Sequence, residues 1–123
     1  MVFRLVLGCG TVCRQVTERV AERDGRVLVI TDDESVVETL RDESVPARSA
    51  DPADPDTIAN VDTPDVIFVA SDRTDVNRAA LEAARERFPD AVIVAYLGGN
   101  ATAADRDRFA ELADRTVDPT DAI

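Results

Sequence analysis

The chain has 123 residues, 25 of them acidic and 14 basic, for a net charge of −11 with no histidine. That length suits one domain. The charge disfavours nucleic acid as a partner, because an acidic surface repels phosphate. No apolar run approaches the roughly 20 residues of a membrane span. The apolar stretch from Val2 to Leu7 is also too short for a secretory signal, so the reading expects a cytoplasmic protein with no membrane insertion.

In chain order, Phe3 to Leu7 is an apolar run ending at Gly8, the pattern of a buried strand. Val12, Val16 and Val20 then fall on one face of a helix predicted over Thr11–Arg23, closed by Asp24-Gly25. Arg26 to Ile30 reads as a second strand. Asp33 to Arg41 reads as a second helix, with Asp32 or Asp33 able to cap it. Val45 to Arg48 is a weak strand. A Pro- and Asp-rich stretch follows, then a short helix near Thr57–Asn60. Val66 to Ala70 is the strongest strand and leads to a helix over Arg73–Phe88. Ala91 to Tyr96 is the fifth strand, Thr102 to Ala113 a helix, and Thr116-Val117 a short last strand.

Alternating strands and helices call for a parallel sheet. The strands are continuous apolar runs, as expected where helices cover both faces. The predicted fold is α/β, a Rossmann-type doubly wound sheet of about six strands in the order 3-2-1-4-5-6, forming one domain over residues 1–123.

In such a sheet, ligands bind where the strand order reverses. The first strand runs into Gly8-Cys9-Gly10-Thr11-Val12-Cys13. Gly8 permits a tight turn, and Gly10 lets the backbone approach a pyrophosphate. The following helix directs free N–H groups at the same place. This is the first half of a G-x-G-x-x-G fingerprint in its required context. The second strand ends Thr31-Asp32-Asp33, and Thr31 stands where a ribose-gripping carboxylate is expected. With no Arg or Lys apparent nearby, a 2′-phosphate is disfavoured. The fourth strand ends Ala70-Ser71-Asp72, whose small residues leave room beside the glycine turn. Asp72 is expected to cap the next helix.

No catalytic constellation emerges. Histidine and lysine are absent, and Tyr96 is the sole tyrosine. Cys9 and Cys13 are too few for a zinc site. They read as small buried side chains where helix packs on sheet, although the pair could oxidise. The acid is spread along the whole chain, as in proteins of salt-accumulating halophiles. An ordinary acidic surface is the alternative.

With these pieces in place, the sequence resembles the TrkA-N domain, the nucleotide-binding half of the RCK/KTN regulators of potassium channels and transporters. The matching pieces are Leu7 to Gly10, Val27 to Ile30, Ala50 to Pro55, Asp65 to Ala70, Asp75-Val76-Asn77 and Ala113 to Pro119. The resemblance implies a ligand such as NAD(H), ATP, ADP or AMP, phosphate contacts at Gly8, Cys9, Gly10, Thr11 and Val12, and ribose contact at Thr31 or Asp32. It further implies Asp51 near the adenine and Ala70 and Ser71 beside the phosphates. The implied partners are a second copy in a homodimer and a membrane potassium transporter or channel subunit. The chain departs from the family pattern at Cys13, at Thr31, and at Ala95, where a basic residue often meets the phosphates. It also resembles TrkA-N domains fused ahead of DHH-type phosphoesterases in halophilic archaea, which makes a fused phosphoesterase an alternative partner. The other readings are a degenerate dimerisation scaffold and a small NAD-dependent oxidoreductase.

Overall fold

Six parallel strands are laid side by side in the order β3-β2-β1-β4-β5-β6, in a computed structural model that describes residues 2–10, 13, 17 and 25–118. The strands are β1 (Phe3–Leu7), β2 (Arg26–Thr31), β3 (Ala47–Ser49), β4 (Val66–Val69), β5 (Val92–Tyr96) and β6 (Arg115–Val117). The helices are α1 (Glu34–Asp42), α2 (Pro55–Ile58), α3 (Thr74–Arg87) and α4 (Ala103–Leu112). The strand order is the one the alternation of elements predicts. The helix expected over Thr11–Arg23 lies outside the described residues except at Cys13 and Thr17, which are both helical and buried.

Alternation along each strand sorts its side chains between two cores. Phe3, Leu5 and Leu7 of β1, Ile67 and Val69 of β4, and Ile93 and Ala95 of β5 face one side with Leu81 and Phe88 on and after α3 and Phe109 on α4. Val6 and Val29 face the other side, with Cys13 and with Val37 and Leu40 of α1. Both faces are therefore covered, which is why the strands are apolar throughout.

Local chemistry shifts several boundaries from the expected ones. α2 begins at Pro55 rather than Thr57, because Asp54 accepts from the Asp56 N–H at 2.9 Å and Pro55 takes the first helical turn. β3 begins at Ala47 rather than Val45. The Val45 N–H is spent on Leu40 O at 2.8 Å, and Pro46 has no N–H to give the ladder. Asp33, not Asp32, caps α1, accepting from Ser35 N at 3.0 Å and from Ser35 Oγ at 2.7 Å.

The amino-terminal edge of the sheet is fastened by two aspartates, each one residue ahead of a strand. Asp65 accepts the Phe3 N–H at 2.7 Å, and Asp114 accepts the Ile93 N–H at 2.8 Å. Arg85 reinforces the second, reaching Asp114 at 2.8 Å and the carbonyls of Leu112, Pro89 and Ala91. These bonds hold the Asp114 carboxyl below the usual carboxylate range, the Ile93 amide contributing most.

Candidate functional site

The opposite edge is open. The chain leaves β1 toward one face and β4 toward the other, so a crevice forms between them at the carboxyl ends of the strands. The turn after β1 is tied on both sides. Gly8 N–H donates to Ile30 O at 2.8 Å, and Gly10 N–H donates to Ala70 O at 3.1 Å. Gly8 has φ +83°, which only glycine adopts readily, and a Cβ there would lie 2.8 Å from Ser71 Cβ. A Cβ on Gly10 would press on the Asp72 carboxylate and approach Asp72 N to 2.7 Å. Both glycines are thus required by the close approach of the loop after β4.

That loop is held by a residue to which the sequence reading gave no role. Asn77 of α3 is fully buried. Its Oδ1 accepts Ser71 N–H at 2.9 Å, while Nδ2 donates to Ser71 O at 2.8 Å and to Tyr96 O at 2.7 Å. One amide thereby brackets both backbone groups of Ser71 and ties the end of β5 to the crevice wall. An asparagine one turn into the helix that follows a crevice strand was the available signal, since an amide side chain can accept from a backbone N–H and donate to backbone carbonyls at once.

The crevice has a volume of about 300 Å³, and the glycine turn, Thr31, Asp32, Pro52 and Ser71 are among its lining. Of the expected site residues, the structure brings together Gly8, Cys9, Gly10, Thr31, Asp32 and Ser71. Thr11 and Val12 lie outside the described residues. Thr31 is buried, and its Oγ1 accepts Asp33 N–H at 3.3 Å. Ala70 is buried behind Ser71 in the core shared with Val6 and Val29. Asp51 turns to its own backbone, accepting Ala53 N–H at 2.9 Å, and its neighbour Pro52 meets the crevice instead.

Four expectations are corrected. Asp72 does not cap the following helix. Its carboxylate lies over Gly10, and the position before α3 is Arg73, whose N–H donates to Ser71 Oγ at 3.2 Å. A cation does reach the crevice, because Arg73 lines it, paired with Asp75 at 2.8 Å. It escaped notice because it follows β4, whereas the expected position follows β2. Ala95 is fully buried in the core with Val69 and Ile93 and meets no ligand space. Finally, Cys9 and Cys13 are not two free thiols but a disulfide, with Cα atoms 4.7 Å apart. Cys13 is wholly buried, while Cys9 stays partly exposed on the crevice.

The field in the crevice is negative, with Asp32, Asp33 and Asp72 set against Arg73. The Asp33 carboxyl is held below its ordinary value mainly by the Ser35 hydroxyl and the Val36 amide, so it stays ionised. Beyond Asp72 and Arg73 the crevice continues into a wider hollow of about 600 Å³ between α3 and the loop after β5. Arg78 spans that hollow, with Asp105 at 3.2 Å and Glu82 at 3.8 Å. We assign the ligand site to the smaller crevice, since it holds the glycine turn and the reversal of strand order. The wider hollow has no part of the glycine turn in its lining, and its two arginines are paired with Asp75 and Asp105. Among the described residues, no group of three His, Cys, Asp or Glu is placed to hold a metal ion. No described helix is long and apolar enough to cross a membrane.

A glycine turn at the reversal point of a six-stranded parallel sheet defines a Rossmann-type binding domain. The model of the TrkA-N domain family matches residues 4–117, and the chain belongs to that family. No curated protein matches the chain in sequence. Among solved structures, the TrkA-N domain of the inner membrane protein ybaL from Escherichia coli is similar at 20% identity and a TM-score of 0.82, with 98% of this chain and 89% of that one covered. The NAD(P)-binding domain of an exopolyphosphatase-related protein from Archaeoglobus fulgidus is similar at 20% identity and a TM-score of 0.83, again covering 98% and 89%. The GsuK channel bound to NAD is similar at 16% identity and a TM-score of 0.77, with 94% of this chain matching 21% of that one. At these identities the likeness is one of fold.

Proposed function

We propose that this domain is a non-catalytic nucleotide sensor that binds NAD(H) in the crevice beside Gly8 and Gly10 and regulates a membrane potassium transporter or channel subunit. The observation that carries the reading is the glycine turn at the reversal point, anchored to Ile30 and Ala70, in a chain of the TrkA-N family. The GsuK neighbour, a channel bound to NAD, supports both ligand and partner. In this reading Thr31 and Asp32, on the crevice lining, meet ribose hydroxyls, and Arg73 meets a phosphate once it leaves Asp75. With three carboxylates on the lining, the crevice suits the pyrophosphate of NAD(H) better than the more highly charged triphosphate of ATP. ADP and AMP stand between these cases.

Sensing requires a ligand-dependent shape, and the loop after β4 can supply one. Its Ser71 is held by Asn77, which also holds the end of β5. A ligand that shifts Ser71 therefore acts on the ends of both β4 and β5. A homodimer would carry such a shift to the partner protein in the cytoplasm. The chain has neither histidine nor lysine for proton transfer, which favours regulation over hydride-transfer chemistry.

The A. fulgidus neighbour favours a second reading, in which the same domain regulates a fused phosphoesterase. The ligand site is common to both.

The test is a thermal-shift series with NAD⁺, NADH, ATP, ADP and AMP at low and high salt. A ligand at a hundredfold excess over Kd stabilises by about 2.7 kcal/mol. The largest shift is expected with NAD⁺ or NADH and none with Gly10→Asp, whose side chain collides with Asp72. Screening of the acidic lining should make affinity rise with salt, the reverse of usual anion binding. No shift with any of the five would leave a scaffold domain.

A further inference from the structure

We infer that Cys9–Cys13 is a reversible thiol–disulfide site that sets the shape of the ligand-binding turn, so that the domain reads redox state as well as nucleotide. The consequence for binding rests on the nucleotide reading above; the chemistry of the site does not.

The bridged residues are only four apart in sequence: Cys9 lies in the turn that leaves β1, and Cys13 is helical. A disulfide restrains the unfolded chain more the longer the loop it closes, and a loop this short gains least. The bridge joins no distant elements. What it restrains is Cys9, which lines the crevice between Gly8 and Gly10.

The two cysteines differ in exposure. Cys13 is wholly buried, packed with Val6, Val29, Val37 and Ala70. Cys9 is partly exposed and lines the crevice. A thiolate from solvent can therefore reach Cys9 Sγ but not Cys13 Sγ. Attack forms a mixed disulfide at Cys9 and breaks the Cys9–Cys13 bond. Cys13 departs as a thiolate and takes up a proton. A second low-molecular-weight thiol then displaces Cys9, which is protonated in turn. The protein gains two electrons and two protons, and two small thiols leave as their disulfide.

Two thiol sulfurs cannot stay at bonding distance. The close-packed surroundings of Cys13 give it no room, so Cys9 is the residue displaced. Cys9 lies between Gly8, anchored to Ile30 O, and Gly10, anchored to Ala70 O. Its displacement changes the peptide planes that a phosphate would meet. The oxidised turn is the preorganised one, so reduction weakens nucleotide binding.

The experiment is a titration of the intact chain against graded ratios of reduced to oxidised glutathione. Alkylation and mass measurement count the thiols, amide NMR follows Gly8 and Gly10, and NADH affinity is measured at each end point. The expected result is one reversible step between disulfide and dithiol in the folded protein, with amide shifts centred on Gly8 and Gly10. NADH should bind more weakly to the reduced form by about fivefold or more, the low end of coupling between two sites. The Cys9→Ser/Cys13→Ala variant should show the reduced affinity at every ratio, with the same circular dichroism as wild type. A bridge that yields only when the chain unfolds would make it a staple and overturn the inference. So would reduction in the folded state with amides and affinity unchanged. If neither form binds NADH, the nucleotide reading falls, and the redox site then stands or falls on the amide shifts alone.

Discussion

The two edges of the sheet use the same residue types to opposite ends. At the amino edge, Asp65 and Asp114 spend their carboxylates on strand N–H groups, and Arg85 spends its guanidinium on Asp114 and three carbonyls. Backbone donors and acceptors are answered locally and the edge is closed. At the carboxyl edge, Asp72 lies over Gly10, Asp32 lines the crevice, and Arg73 reaches Asp75 across an exposed surface. There the ordering falls to two glycines and one asparagine, and space remains. The comparison teaches that in a chain this acidic, charge alone does not mark a site. What marks it is backbone that approaches backbone with room left over.

Substitutions should therefore separate the edges. The largest effect is expected from Gly8→Ala. A Cβ there forces a left-handed residue with a side chain and sets it 2.8 Å from Ser71 Cβ, for a loss of about 3 kcal/mol together with ligand binding. Chemical denaturation and calorimetric titration read the two losses. Next is Asn77→Leu, which fits the volume but abandons Ser71 N–H, Ser71 O and Tyr96 O, for a loss of about 2 kcal/mol. Its nucleotide affinity should fall even after correction for the unfolded fraction. A normal affinity would show that Asn77 only staples the fold.

At the closed edge, Asp65→Ala should cost about 1 kcal/mol by freeing the Phe3 N–H, with nucleotide affinity unchanged. A change in affinity there would break the contrast between the edges.

The smallest effect is in acid. Asp33, Asp105 and Asp114 are all held below their ordinary value of 3.8 by hydrogen bonds. The amide and hydroxyl of Thr102 act on Asp105, where α4 begins. A carboxyl with a lowered folded value stabilises fully above the unfolded value and loses that contribution as pH falls through the folded one. The urea midpoint should accordingly hold from neutrality down to the ordinary carboxylate value and decline below it. Asp105→Asn should flatten that decline.

Much of this was legible in the residues themselves. Apolar runs such as Val66–Val69 and helical spacing such as Val76, Ala80 and Ala84 specify strand and helix, because period alone decides which side chains can be buried together. Their alternation calls for a parallel sheet, and Gly8-x-Gly10 after a strand locates the crevice. Only the tertiary structure decided the rest. Asp72 and Arg73 take their places from the angle at which the β4 loop meets the glycine turn. Asn77 gains its role from a carbonyl nineteen residues away at Tyr96. The Cys9–Cys13 bridge depends on Cα atoms brought within 4.7 Å by the exit from β1. Local propensity and periodicity are written along the chain. Side-chain partnerships across elements depend on packing distances, and those exist only once the sheet has closed over its two cores.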